Sequence, residues 1–255
     1  MPLVSVIVTT YNRKDLLTVT LNSILNQTFQ DFELIVVDNF SNYDFFSHID
    51  SFKSVKIIPF QNANNGIIAI NRNHGLKHVK GKYVAFCDDD DVWYLNKLEK
   101  QLAILEQSGN SEDYKLVYSE VMLFGEGVTE AISNRKAVKD IDDLIKRNQI
   151  PLSSTLITKS KLLEFDEDPI LLASEDYALW LKLLGNGYLP IYISEPLVRY
   201  RVSANSAFET TKGMFRLKNV YTLIKHVLKY STSGINLSRY LYCVFTELIR
   251  FYFKR

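Results

Sequence analysis

Short apolar segments alternate with segments of helical periodicity over roughly the first hundred residues. Four runs are β-branched and almost continuously apolar: VSVIVTT (4–10), FELIVVD (32–38), VKIIPF (55–60) and YVAFCD (83–88). Strands that are buried on both faces of a parallel sheet have this composition, because a half-exposed strand would alternate apolar and polar residues. Leucine and isoleucine recur at helical spacing over 17–25 and again over 95–105. The pattern therefore predicts an α/β fold with a layered sheet.

The second half of the chain is less regular. Extended segments are predicted at 115–124 and 153–158, and a further extended pair at 188–202. A helix is predicted at 176–184, where the apolar spacing is helical and a Gly-Asn-Gly sequence follows. The polar segment at 203–211 is expected to separate the sheet from a C-terminal tail.

Charge is unevenly distributed along the 255 residues. Residues 212–255 contain nine Lys or Arg and one acidic residue, a formal charge of +8, although the whole chain carries only +1. Apolar residues from Leu217 to Leu228 fall on one helical face with lysines opposite, and 239–255 is rich in aromatics. A basic amphipathic helix of this kind suits an anionic membrane surface. The alternative is that the tail helices pack on the body or on a second subunit, as in a homodimer.

Other sequence features bear on where the protein works. The two cysteines, Cys87 and Cys243, cannot form a disulfide framework, so a reducing compartment fits best. The N-terminal segment has no basic region followed by a cleavage site, and no run of about 18 uncharged apolar residues occurs. We expect a cytoplasmic protein that is peripheral at the inner face of the plasma membrane, with no nucleic-acid partner.

Four consecutive aspartates, Asp88 to Asp91, follow the fourth apolar run. Ligands of open α/β sheets bind outside the carboxyl ends of the strands, where TTYNR and DNFSN from the first two strands should also lie. Clustered carboxylates are typical of a hard divalent cation site, because Mg²⁺ and Mn²⁺ prefer oxygen ligands. Strand alternation directs Asp88 and Asp90 to one side. Asp89 and Asp91 are expected to be structural, one of them capping a helix that begins near Tyr94.

Four segments in this order resemble the successive motifs of family 2 glycosyltransferases, including those of bacterial O-antigen and surface-polysaccharide assembly: VSVIVTTYNR, FELIVVDN, NRNHGLKHVKGKYVAFCDDDD and EDYALWLKL. This family has the GT-A fold, a Rossmann-like mixed sheet flanked by helices that binds nucleotide-diphospho-sugars. The resemblance implies a GT-A catalytic domain over 1–205, with a nucleotide-sugar-binding half (1–91) and an acceptor half (92–205). A basic amphipathic helical extension (206–255) would follow.

The resemblance also implies roles for individual residues. Those matching nucleotide-binding positions are Thr9, Tyr11, Arg13, Asp38, Arg72 and Asp88. Asp90 matches the ligand of a Mn²⁺ or Mg²⁺ ion that bridges the diphosphate, and Asp176 matches the catalytic base. Sugar transfer needs both parts, because charge develops on the leaving phosphate and the acceptor hydroxyl must lose a proton. The alternative is that Asp176 is an ordinary acidic residue that stabilises a helix start.

Some positions depart from the family pattern or have another interpretation. Residues 38–41 read Asp-Asn-Phe-Ser where the family commonly has Asp-Asp-Gly-Ser, and Ser203 stands where it often has histidine. The QxxRW motif of the processive synthases is absent, so addition of a single sugar is expected. Trp180 is expected to pack in the core. His74 and His78 have i, i+4 spacing but lack the glutamate of a zinc-binding HExxH motif.

The resemblance thus implies an inverting glycosyltransferase, which we expect to move a hexose from a UDP-sugar to an acceptor hydroxyl. The expected acceptor is a polyprenyl-diphosphate-linked sugar in lipopolysaccharide O-antigen or capsule assembly. Two other classes remain open. A sugar-phosphate nucleotidyltransferase shares the sheet and the metal, but it needs a glycine-rich loop where this chain has TTYNRKD. A non-catalytic membrane scaffold could use the aspartates to bind a divalent ion.

Overall fold

The fold is known from a computed structural model, which describes residues 1–109, 114–202, 220–222, 224–225, 241–242 and 244–246. The strands are β1 (Val4–Thr10), β2 (Phe32–Asp38), β3 (Ile57–Gln61), β4 (Tyr83–Asp88), β5 (Val92–Trp93), β6 (Lys115–Gly125), β7 (Val128–Ile132), β8 (Leu156–Thr158) and β9 (Leu189–Arg201). The α-helices are α1 (Lys14–Leu25), α2 (Phe45–Asp50), α3 (Ile68–Leu76), α4 (Lys97–Gln107), α5 (Ile141–Lys146) and α6 (Glu175–Gly185).

The strands of residues 1–202 join in one mixed sheet in the order β3-β2-β1-β4-β8-β6-β9-β5, and β7 pairs with β6. The first four are parallel, whereas β8 runs antiparallel to β4 and β6. The helical connections in the first half supply the crossovers that parallel pairing requires. The predicted mixed α/β sheet is confirmed.

The sheet is buried on both faces, as the continuous apolar runs predict. Every residue of β1 and β2 is buried. Ile7 and Ile35 belong to the core beneath α3 and α6, while Val6 and Leu21 belong to the core beneath α1 and α4. The predicted core residue Trp180 has no exposed surface, and its indole N–H donates to the Ile150 carbonyl at 3.1 Å.

The segment after the four aspartates differs from the prediction. Instead of entering a helix near Tyr94, residues 92–93 form β5, which pairs with β9. α4 begins at Lys97 after Asn96, so neither Asp89 nor Asp91 caps it. Leu95 extends the leucine spacing in the sequence, yet its side chain is 59% exposed and lies before the helix.

The tail residues that the structure describes lie against the body. The Tyr221 hydroxyl donates to Asp168 at 2.6 Å, and Lys225 pairs with Asp166 and Asp168 at 2.8 and 2.9 Å. Val220 is buried. The predicted boundary at 203–211 and most of the predicted helical tail lie outside the described residues. Among the residues described, no helix has the length and apolar character to cross a lipid bilayer.

Candidate active site

The carboxyl ends of β1, β2 and β4 meet at one edge of the sheet. Thr10 is in register with Asp38, and Thr9 with Asp88. The loops that leave these strands therefore start from neighbouring positions, as parallel strands require. The expected convergence of the three polar strand ends is confirmed.

Asp88 and Asp90 are the more accessible members of the aspartate cluster, with side chains 29% and 18% exposed. Asp88 Oδ1 accepts from Arg72 at 2.9 Å, and Asp90 Oδ2 accepts from Arg13 at 3.1 Å. Within the described part of the chain, the second oxygen of each carboxylate has no protein donor. Burial, reinforced by Asp88 and Asp89, raises the pKa of Asp90 to about 6. The pair thus offers free carboxylate oxygens in a site that is short of positive charge.

Asp89 and Asp91 are buried, at 5% and 1% exposure. Asp89 accepts from the Thr10 hydroxyl at 2.8 Å and from Arg13 at 3.0 Å. Asp91 Oδ1 accepts the backbone N–H of Arg201 at 2.8 Å. These two side chains tie the cluster to β1 and β9, so the division of the four aspartates by strand alternation agrees with the structure.

The end of β1 and the loop that follows it carry three residues that the family resemblance assigns to the nucleotide. Thr9, in β1, is buried, whereas Tyr11, in the loop, is 53% exposed. The Arg13 side chain, 43% exposed, lies between Asp89 and Asp90. Those carboxylates outweigh the effect of burial and raise the pKa of Arg13.

Asp38 ends β2 with no exposed surface. Its carboxylate accepts from the Ser41 N–H at 2.9 Å, the Ser41 hydroxyl at 2.5 Å and the Gln61 amide at 2.9 Å. Phe40 has a φ of 56°, a left-handed conformation that glycine adopts without strain, and its ring is 59% exposed. The loop therefore keeps the backbone of a glycine-containing turn and adds an exposed aromatic ring.

Arg72, on α3, connects the strand ends to α6. Its buried guanidinium donates to Asp88 at 2.9 Å and to Glu175 at 2.6 Å. Burial disfavours the charged form, but the two carboxylates prevail and the pKa of Arg72 is raised. Glu175 is the first residue of α6, so this bridge brings the N-terminus of the helix to the crevice.

Asp176 follows Glu175 in the first turn of α6. Asn148 lies 3.5 Å from its Oδ2, and its Oδ1 accepts the backbone N–H of Tyr177 at 2.6 Å. Burial and the adjacent Glu175 raise the pKa of Asp176 to about 7, although Arg72 acts in the opposite direction. A carboxylate with a pKa near neutrality can accept a proton in a reaction at physiological pH.

Two acidic residues of this region were not singled out by the sequence. The resemblance assigns a role to Asp176 and none to Glu175, which precedes the predicted helix (176–184) but is the first residue of α6. Glu120, in the middle of β6, is 2% exposed. A glutamate inside the apolar run KLVYSEVMLF is the signal that could have identified it, because a buried acid needs several donors.

The chemistry of the donors suits a divalent cation held mainly by a substrate. No group of three or more His, Cys, Asp or Glu side chains in the described residues could by itself hold a metal ion. Asp88 and Asp90 can supply one or two carboxylate oxygens, which is the usual protein contribution where phosphates complete the coordination of Mg²⁺. The residues present therefore fit such an ion.

The fold and this arrangement are those of a glycosyltransferase. The profile of the family described as "Glycosyl transferase family 2" matches residues 5–154, and the chain belongs to that family. The predicted GT-A fold is confirmed by the structural likenesses below. Membership of this family excludes the two alternative classes, a sugar-phosphate nucleotidyltransferase and a non-catalytic membrane scaffold.

Individual proteins show the extent of the similarity. The chain is 30% identical over 221 residues to UDP-Glc:alpha-D-GlcNAc-diphosphoundecaprenol beta-1,3-glucosyltransferase WfaP of Escherichia coli, covering 86% of each. The S. aureus TarS 1-349 structure in complex with UDP-GlcNAc matches with a TM-score of 0.71 and 21% identity, over 99% of this chain and 73% of that one. The mannosyltransferase PcManGT of Pyrobaculum calidifontis, solved with GDP-Man and Mn²⁺, matches with a TM-score of 0.63 and 18% identity, over 99% and 70%.

Proposed function

We propose that the protein transfers a hexose from a UDP-sugar, with inversion, to a hydroxyl of a polyprenyl-diphosphate-linked saccharide. The observation that carries this proposal is the bridge from Asp88 through Arg72 to Glu175, which sets Asp176 beside the aspartate cluster. WfaP, by its name, uses UDP-Glc and a GlcNAc-diphosphoundecaprenol acceptor, and TarS was solved with UDP-GlcNAc. Both support a UDP-sugar donor, and the name of WfaP also supports the acceptor class proposed here.

The donor half of the site would use the carboxyl ends of β1, β2 and β4. Thr9 and Tyr11 are proposed to flank the base, and Asp38, which has no exposed surface and is held by Ser41 and Gln61, to position the loop that contacts it. Asp88 keeps one free oxygen for the ribose. Arg13 would lie beside the diphosphate, where its charge balances the aspartates.

Arg72 is proposed to act at the nucleotide through Asp88. Its two short ion pairs leave the guanidinium committed to protein carboxylates. It would hold the Asp88 carboxylate in position and link the donor half to the helix that carries the base.

Asp90 is the proposed ligand of a Mn²⁺ or Mg²⁺ ion. When bound, such an ion supplies Lewis-acid stabilisation of the charge that develops on the leaving diphosphate. The free Oδ1 of Asp90 and the shortage of positive charge around it favour this assignment. PcManGT, of similar fold, was solved with Mn²⁺.

Asp176 is the proposed base. The acceptor oxygen would form a bond to the anomeric carbon while its proton passes to the Asp176 carboxylate. The bond from that carbon to the β-phosphate oxygen breaks at the same time, and its electron pair leaves with UDP. One displacement from the opposite face gives a β-linked product from an α-linked donor.

A membrane-facing role is proposed for the tail. Leu241, Tyr242 and Phe245 are 55%, 67% and 61% exposed, whereas Val244 packs against the core. An exposed aromatic face on a segment of charge +8 suits the cytoplasmic face of an anionic membrane, where a polyprenyl-linked acceptor would lie. Replacing Tyr242 and Phe245 with serine should reduce sedimentation with phosphatidylglycerol vesicles, and Phe46→Ser on α2 is the matched control. Equal sedimentation of all the proteins would contradict this role.

The direct test is a panel of nucleotide sugars offered with a GlcNAc-diphosphate-lipid analogue, with Mn²⁺ or Mg²⁺ and then with chelator. We expect that the hexose of one UDP-sugar is transferred and that this activity is lost on chelation. The NMR spectrum of the product should show a β-linkage. An α-linked product, or undiminished transfer in chelator, would refute inversion or the metal, respectively.

A further inference from the structure

The loop after β7 is fixed to the body by a buried glutamate. Glu120 Oε1 accepts from the Val121 N–H at 2.8 Å and from the Ser133 hydroxyl. Its Oε2 accepts from the Arg135 N–H at 2.7 Å and from the Tyr192 hydroxyl at 3.0 Å. Four donors fill the capacity of one carboxylate, so Glu120 positions the backbone of this loop without forming an ion pair with the Arg135 side chain.

The Arg135 guanidinium has no carboxylate partner among the described residues. Its Nε is buried and makes no hydrogen bond within this part of the chain. Burial lowers the pKa of Arg135 and the nearby Arg147 lowers it further, whereas Tyr200, Glu120 and Asp176 act in the opposite direction. A buried guanidinium N–H that lacks an acceptor is unfavourable, and a bound anion would supply one.

Arg135 lies near Asp176, because the charges of the two groups interact. The Lys136 N–H donates to Gln149 Oε1 at 3.3 Å, which joins the Arg135 loop to the loop after α5. Asn148, in the second loop, reaches Asp176. Arg147 is exposed in that loop directly after α5. Two arginines therefore belong to loops that are joined to each other and to the proposed base.

We propose that Arg135, assisted by Arg147, binds a phosphate group of the acceptor's diphosphate. This inference rests on the proposed function, which supplies a diphosphate-linked acceptor. A guanidinium can form two parallel hydrogen bonds to a phosphate, which an ammonium cannot do. The donor diphosphate is the other possible source of such an anion. The interaction of Arg135 with Asp176, the proposed base, favours the acceptor's phosphate. The KM for the UDP-sugar, measured in the test below, distinguishes the two sources.

The test compares a GlcNAc-diphosphate-alkyl acceptor with a neutral alkyl GlcNAc glycoside. In Arg135→Gln, KM for the diphosphate acceptor should rise about ten- to a hundred-fold, the range that loss of a charge-assisted hydrogen bond gives. KM for the neutral acceptor and for the UDP-sugar should stay unchanged. Arg135→Lys should recover only part of the loss. Lys80→Gln is the matched control, because it removes an exposed positive charge just before the N-terminal end of β4, whereas the aspartate cluster follows the carboxyl end of that strand.

Three results would overturn the assignment. Equal losses with both acceptors, together with a lower unfolding temperature, would mean a structural role. A higher KM for the UDP-sugar would assign Arg135 to the donor. Unchanged constants for Arg135→Gln would remove it from the site.

A binding measurement separates this inference from the proposed function. Calorimetry with an alkyl diphosphate, on protein saturated with UDP and Mn²⁺, should give an affinity about ten-fold or more weaker for Arg135→Gln than for wild type. If no sugar is transferred to any acceptor but this difference is seen, the proposed function fails and the anion site stands. Equal binding to both proteins refutes the anion site.

Discussion

Arg72 supplies the sharpest prediction about how the site is held together. Replacement with methionine keeps most of the side-chain volume and removes the guanidinium that joins Asp88 and Glu175. The Glu175 carboxylate, whose side chain is 9% exposed, would stay buried without a counter-charge. Breaking a buried pair in this way costs about 3–5 kcal/mol. In a chain of this size, about 2–4 °C per kcal/mol gives a fall in melting temperature of about 6–20 °C.

The assay is thermal and urea unfolding of Arg72→Met, Glu175→Gln and the double variant. The double variant should be less destabilised than the sum of the two single variants, because glutamine in place of Glu175 no longer leaves a charge buried. Lys80→Gln, a surface change, should lie within about 0.5 kcal/mol of wild type. A loss below about 1 kcal/mol for Arg72→Met, or strict additivity, would refute the bridge between β4 and α6.

Three other predictions concern single side chains. The logarithm of kcat/KM should fall with a slope of one below about pH 7, because Asp176 must be ionised to accept a proton and its pKa is raised to about 7; a flat profile down to pH 5 would contradict its role as base. Burial lowers the pKa of Lys97 to about 7, so between about pH 7 and 10 the unfolded state binds the extra proton. The free energy of unfolding should therefore rise with pH over that window, and urea titrations of Lys97→Met should show a flatter dependence than wild type. Asp90→Ala should bind UDP in Mn²⁺ no more tightly than wild type binds it in chelator; full metal dependence in the variant would exclude Asp90 as a ligand.

Much of the donor half could be predicted because its determinants are local. A short, continuous, β-branched apolar run is typical of a strand that is covered on both faces of a sheet. β1, β2 and β4 lie where the sequence contains such runs. The predicted division of the aspartates holds for a different reason, because β4 ends at Asp88 and residues 89–90 form a turn in which the Asp91 N–H donates to the Asp88 carbonyl at 3.2 Å. The burial of Asp89 and Asp91 therefore depends on this turn and on tertiary contacts. Parallel pairing then brings the polar strand ends to one edge without further information.

The remaining parts of the site depend on contacts that no local pattern contains. Arg72 and Glu175 are 103 residues apart in the chain, and Asp91 and Arg201 are 110 apart. The leucine spacing that begins at Leu95 predicts a longer helix, but pairing with β9 keeps the preceding residues extended. Tertiary hydrogen bonds outweighed helical periodicity at that point.

Nucleotide binding and transfer measured side by side in Asp176→Asn test the central claim most directly. Asparagine keeps the shape of the side chain and removes the base, so we expect the UDP affinity of wild type and a rate of sugar transfer about 10²- to 10⁴-fold lower. Asp50→Asn, which changes an exposed aspartate on α2, should match wild type in both measurements. Transfer at the wild-type rate by Asp176→Asn would contradict the assignment of Asp176 as the base. The helix that Arg72 joins to the aspartate cluster would then carry no catalytic base.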